Sequence, residues 1–167
     1  DGTGGEGERP GRWITVVGHG AGTSVLAMAL AQAFADRRAA GSVVLADLAL
    51  DADQAMLHAA PDIVPGVSEL VELHRGGPVP AERIRELTFA VDGRNYDLLL
   101  GLRRHRDWAA LRPRAVHAAL DGLAHTYPVV VADCEADVEG EDECGSVEVE
   151  ERNGLARAAL ERADLVV

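Results

Sequence analysis

The chain contains no lysine: all sixteen of its basic residues are arginine. A site that depends on a lysine therefore cannot be completed from this chain alone. Aromatics are almost as scarce, 4% of the 167 residues against 47% hydrophobic, so the core has to be aliphatic. No apolar run approaches the ~20 residues of a membrane-spanning helix, and the acidic, Gly-rich start does not read as a signal peptide. Cysteine is limited to Cys134 and Cys144, ten apart with no second pair. They read as reduced thiols of a cytoplasmic protein sooner than as a disulfide or a metal pair. Basic charge is not concentrated anywhere. The nine acids between Glu135 and Glu151, with the net −2 of residues 1–10, account for all but one unit of the overall −12. The remainder is nearly neutral, which argues against nucleic acid as a direct partner.

What is present is organised around Trp13–Leu30, WITVVGHGAGTSVLAMAL. Trp13 to Val17 is an apolar, β-branched run with the composition of a buried strand. Gly18, Gly20 and Gly22 follow at alternate positions; glycine takes positive φ and lets backbone N–H groups approach a ligand. Thr23 and Ser24 then open an alanine-rich helix expected to run to about Arg38. A strand, a glycine loop and a helix N-terminus in that order make an anion site, because free N–H groups and the helix dipole both favour phosphate. A P-loop would end in Gly-Lys-[Ser/Thr]. Here the triplet is Gly22-Thr23-Ser24, so the hydroxyl is present and the lysine is not.

The remaining chain alternates strands and helices. VVLADLAL (43–50) predicts a second strand ending near Asp47, and 51–60 a short helix stopped by Pro61. Val67, Leu70, Val71 and Leu73 recur at helical spacing, with Ser68 as the expected N-cap. Residues 80–85 predict one more helical turn. Leu87–Val91 and Tyr96–Leu102, joined through Asp92-Gly93, predict a hairpin. Residues 108–124 predict a helix whose main segment starts at Pro113, and Tyr127–Ala132 a third core strand with Asp133 at its end. The acidic stretch 135–151 reads as a solvated, disordered loop. A helix over 153–162 and a strand from Asp164 complete the chain. Trp13 and Trp108 read as packing anchors. His58, His74, His105, His117 and His125 show no ligand spacing and read as surface residues, as does His19.

This pattern predicts an α/β fold of three α/β/α layers around a mostly parallel twisted sheet. Residues 1–11 read as an acidic, Gly-rich linker from a larger parent, and 12–167 as one domain. The chain stops just inside a strand, so later strands are expected to be missing. In such sheets ligands bind beyond the carboxyl ends of the strands, where Gly18, Asp47 and Asp133 are all expected.

Five blocks together resemble the MinD/ParA group of P-loop ATPases: VVGHGAGTSVLAMALAQAFA, VVLADLALDADQAML, PGVSELVEL, YPVVVADC and LERADLVV. The nearest likeness is to the divergent CpaE/TadZ-like and septum-site branch. The resemblance maps the family's loop, Lys-Gly-Gly-x-Gly-Lys-Thr, onto Gly18, His19, Gly20, Ala21, Gly22, Thr23 and Ser24. It implies that Gly18 replaces the signature lysine and Thr23 the P-loop lysine, while Ser24 keeps the Mg²⁺-binding hydroxyl. It also implies Mg²⁺-facing roles for Asp47 and Asp133. The family's Asp-x-Asp becomes Asp47-Leu48-Ala49, so the water-positioning acid is missing unless Asp51 or Asp53 reaches in. ATP and Mg²⁺ are then expected to bind weakly or not at all.

Phosphoryl transfer depends on neutralising developing charge, so the loss of two cations and one acid predicts negligible hydrolysis. The expected role is a localisation or scaffold factor for pilus or secretion assembly, septum placement or partitioning. Protein partners and a homodimer are implied. One alternative is an active ATPase completed by a partner subunit's residues, with Arg37, Arg38, Arg103, Arg104 and Arg106 as local candidates. Another is a Rossmann-type NAD site, for which Thr23 and the late Asp47 fit the glycine pattern poorly.

Overall fold

In the computed structural model, residues 10–167 are described. The linker reading therefore lies almost wholly outside the described residues. Gly11 is already docked, its N–H donating to the Ala124 carbonyl at 2.6 Å.

The elements follow the expected alternation. Strand β1 (Arg12–Gly18) leads into helix α1 (Ala21–Ala35), then β2 (Val43–Asp47). Helices α2 (Gln54–Leu57), α3 (Val67–Leu73) and α4 (Ala81–Arg85) precede the hairpin of β3 (Phe89–Ala90) and β4 (Asp97–Leu99). After a 3₁₀ segment at His105–Ala110 come α5 (Pro113–Thr126) and β5 (Val129–Glu135). Helices α6 (Glu141–Cys144), α7 (Val147–Arg152) and α8 (Gly154–Arg162) lead to β6 (Leu165–Val166).

The six strands lie in the order β3-β4-β2-β5-β1-β6. Every neighbour pair is parallel except β3 with β4. Alternation along the strands divides the core between two faces. Val43, Leu45, Val129 and Val131 face α1, whose Ala27, Ala31 and Ala35 recur at every fourth residue and are fully buried. Such small side chains bring the helix axis close to the sheet. Val44, Ala46, Val130 and Ala132 face the opposite layer, with Leu70, Ile84, Leu120, Leu123 and Leu155. Trp13 is buried there, its indole N–H donating to Thr15 Oγ1 at 3.1 Å, an anchor as expected.

Several boundaries differ from the sequence expectation for identifiable reasons. Helix α1 begins two residues early because Gly20, at φ 82°, turns the chain sharply into it. It ends at Ala35, where the N–H groups of Arg37 and Arg38 turn back three residues. Helix α2 is shorter than 51–60 because carboxylates capture backbone N–H groups at its start and just before it: Asp47 takes those of Ala49 and Gln54, and Glu135 that of Asp51. The N-cap of α3 is Gly66, not Ser68; Glu69 reaches back to the Gly66 N–H at 2.9 Å. The acidic stretch folds into α6 and α7 instead of remaining a disordered loop. Asp137 pairs with Arg152, and buried Asn153 donates to Asp137 and to the Glu139 carbonyl.

Candidate functional site

β1 and α1 place the glycine loop at the carboxyl edge of the sheet. Gly18 ends β1, and His19 and Gly20 are exposed at the turn. Ala21 and Gly22 open the helix, and the Thr23 N–H donates to the Gly20 carbonyl at 3.2 Å. The Thr23 side chain folds back over Gly18: a Cβ on Gly18 would lie 2.4 Å from Thr23 Oγ1. Thus the two positions read as lost lysines touch one another.

Parallel pairing sets the acids side by side. Register aligns Asp47 with Asp133 across β2 and β5, and Asp133 with Val16 of β1. Both carboxyls are buried, at 0% and 2% exposure. Asp47 accepts the Gln54 N–H at 3.0 Å and, at 3.4 Å, that of Ala49. Gly101 closes over it; a Cβ there would be 2.9 Å from Asp47 Cγ and 2.5 Å from the Ala52 methyl. Burial drives the Asp47 carboxyl up to about 7; the two N–H groups oppose the shift and the neighbouring Asp133 adds to it. Asp133 is raised too, again chiefly by burial, against hydrogen bonds from Gln54 and the Ser24 hydroxyl.

Gln54 holds this group together. Its side chain is fully buried, and Nε2 donates to Asp133 Oδ2 at 2.7 Å and to the Ser24 carbonyl at 3.1 Å. Its Oε1 has no hydrogen-bond partner. Spacing gave no sign of this residue, because a glutamine opening a short helix ordinarily faces water. Gly101 and Glu135 are likewise contacts that appear only when distant segments meet.

A cleft of about 320 Å³ lies over the loop, lined by Gly18, His19, Gly20, Thr23, Ser24 and, opposite, Ala49, Asp51, Asp53, Asp133, Cys134 and Glu135. Asp51 and Asp53 lie before α2 and do reach the cleft. Ala49, the position to which the sequence resemblance assigns a second acid, lines the cleft as well. Among the described residues, no arginine lines the cleft. Arg37 and Arg38 follow α1, whose fifteen residues put them about 22 Å from its start at 1.5 Å per residue. Arg103 pairs with Glu69, and His105 contacts Asp51 at 3.0 Å.

The residues as arranged do not fit a bound Mg²⁺. A hard cation requires ionised, accessible oxygens. Here Asp47 is sealed and directed to backbone N–H groups, and the Gln54 amide donates to Asp133 Oδ2 at 2.7 Å, occupying an oxygen that a cation would use. Among the described residues no cluster of three or more metal-ligating acids, histidines or cysteines has suitable geometry.

Strand order decides the fold type. The strand after α1 does not pair with β1; β5 intervenes, with β6 on the other side. That differs from the 3-2-1-4-5-6 order of dinucleotide-binding sheets, in which strands 1 and 2 are neighbours. No protein-family model matches the chain, and no curated protein does. Solved structures do: the ParA family ATPase of Chlorobium tepidum superposes with TM-score 0.74 at 15% identity, over 95% of this chain and 60% of that one. The fold is that of the ParA/MinD ATPases. The cell division ATPase MinD of Pyrococcus furiosus gives TM-score 0.64 at 17% identity, over 93% of this chain and 57% of that one. The septum site-determining protein MinD of Pyrococcus horikoshii, solved with Mg-ADP, gives 0.58 at 16%, over 89% and 54%. The chain thus spans less than two thirds of the length of these ParA/MinD proteins.

Two of the histidines expected at the surface are drawn inward. His74 is buried, Nδ1 against the Leu70 carbonyl and the ring packed on Gly122; half-buried His58 lies between the Gln54 carbonyl and the Tyr96 hydroxyl. Burial lowers the His58 pKa. His19 is exposed, as expected. Among the described residues no helix is long and apolar enough to cross a membrane.

Proposed function

We propose that this chain is a ParA/MinD-type domain that has lost ATP turnover and acts as a cytoplasmic localisation or scaffold factor through protein partners. The observation that carries the reading is the charge of the cleft: four acids, Asp51, Asp53, Asp133 and Glu135, line it, no arginine does so among the described residues, and the chain has no lysine. A triphosphate entering there meets like charge, opposed by the end of α1, worth roughly half an elementary charge. ATP binds weakly or not at all, and water attack lacks both the cations and the acid at Ala49. Partner binding is supported by exposed apolar side chains, Val25 and Leu26 of α1, Met56 and Leu57 of α2, and Ile63 beyond it. Pilus or secretion assembly, septum placement and partitioning are the settings suggested by the CpaE/TadZ-like sequence blocks. Calorimetric titration with ATP and ADP, with and without Mg²⁺, together with phosphate release, tests the reading. Sustained Mg-ATP turnover by the purified chain would overturn it.

A further inference from the structure

We propose that the side-chain amide of Gln54 stands in for the divalent cation of this fold, latching α1, β5 and the segment after β2 together without metal. The inference rests on the reading of the cleft as a disabled nucleotide site, and it concerns a residue that reading does not use.

Three bonds define the latch. The Gln54 backbone N–H donates to Asp47 Oδ2 at 3.0 Å, and its Nε2 donates to Asp133 Oδ2 at 2.7 Å and to the Ser24 carbonyl at 3.1 Å. One buried residue thereby engages both acids and the first turn of the helix that follows the glycine loop. An amide nitrogen offers two N–H donors and a partial positive charge to oxygens, as a small cation offers its charge. The orientation is set by chemistry, because a flipped amide would press Oε1 against the Asp133 carboxylate. The orphaned Oε1 is the cost of this arrangement: an isolated buried acceptor is disfavoured, and it is tolerated here because the nitrogen satisfies two acceptors. Further out, the His58 Nδ1–H donates to the Gln54 carbonyl at 2.8 Å and Nε2 meets Tyr96 Oη at 2.7 Å, which fixes the start of α2.

A metal-independent latch predicts indifference to divalent ions, and its removal predicts the reverse. In Gln54→Glu a third carboxylate joins Asp47 and Asp133 beside the Ser24 hydroxyl, and only a cation or protons can then hold the group together. The test uses the full chain without nucleotide, comparing melting temperature in EDTA and in millimolar Mn²⁺, with Mn²⁺ binding followed by electron paramagnetic resonance. The wild type is expected to melt at the same temperature in both and to leave Mn²⁺ free. Gln54→Glu is expected to melt several degrees lower in EDTA and to recover with Mn²⁺, binding one ion. A wild type that Mn²⁺ stabilises as much as the variant, or a variant that Mn²⁺ leaves unchanged, overturns the latch. If Gln54→Glu does not fold, the wild-type Gln54 side-chain amide decides by NMR. Slow exchange, unaltered by Mg²⁺, supports the latch, and fast exchange or displacement by Mg²⁺ refutes it. Since no nucleotide is present, these outcomes are independent of whether the chain turns over ATP.

Discussion

Substituting Asp47 by asparagine separates a buried structural acid from a working cation ligand. In the folded chain burial raises this carboxyl from 3.8 to about 7, so between those values the folded state holds a proton that the unfolded state has released. Stability must then fall as pH rises through that window, since its slope follows the protons bound by the unfolded state minus those bound by the native one. Each pH unit corresponds to about 1.36 kcal/mol. The interval from 3.8 to about 7 therefore amounts to about 4 kcal/mol of stability, present at low pH and gone above neutrality. Asparagine cannot ionise, keeps the volume, and retains one acceptor for the Gln54 N–H. Urea denaturation of both proteins across this range, taken as a difference, removes the contribution of the other acids. The wild type should lose about 4 kcal/mol relative to Asp47→Asn from acid to neutral pH. A difference that stays flat or rises with pH would refute the reasoning, as would disappearance of the fall on adding Mg²⁺.

Restoring one cation with Thr23→Lys should tighten ATP and ADP by about ten- to a hundredfold in calorimetry, the worth of one charge-assisted contact. Phosphate release should remain negligible, because Ala49 is unchanged. Gly101→Ala forces a methyl into Ala52 and Asp47 and should lower stability by about 1–3 kcal/mol, read as a fall in melting temperature. Asn153→Ala should raise hydrogen exchange across 137–152 while leaving β1, β2 and β5 protected, since its amide ties Asp137 and the Glu139 carbonyl to α8.

The parts of the fold legible in the sequence were those governed by local periodicity. Trp13–Val17, Val43–Asp47 and Tyr127–Ala132 are apolar runs bounded by turns, and each holds a core strand, the third starting at Val129. Pro113 opened α5, and Asp92-Gly93 marked the hairpin. The convergence of Gly18, Asp47 and Asp133 at one sheet edge also followed, because parallel strands share their carboxyl ends. What escaped was set by contacts between distant segments. Gln54 became important only when β2 and β5 brought their acids to it. The acidic run is ordered by Arg152 and Asn153, which lie just beyond the stretch whose charge suggested disorder. His74 is buried because Gly122 leaves room for its ring.

A sheet and its covering helices depend on alternating apolar residues, and nothing in that pattern requires a lysine. On the function proposed above, a chain can therefore lose the cations of a phosphate site and keep the architecture that presents them. Such a loss would not be neutral at the site itself. Carboxylates that would be balanced by bound cations must be protonated, exposed to water or bonded to donors within the protein. Asp47 and Asp133 use all the internal means: burial with a raised pKa, two backbone N–H groups, a hydroxyl and the Gln54 amide. Asp51, Asp53 and Glu135 stay at the wetter rim. In a nucleotide-driven protein the ligand selects between conformations by binding them unequally. On the proposed reading, a cleft whose acids are satisfied by its own side chains removes that choice and holds α1, β2 and β5 in one arrangement. A fixed surface of this kind suits a partner that must be positioned, and a partner that must be released on ATP hydrolysis would need a different site.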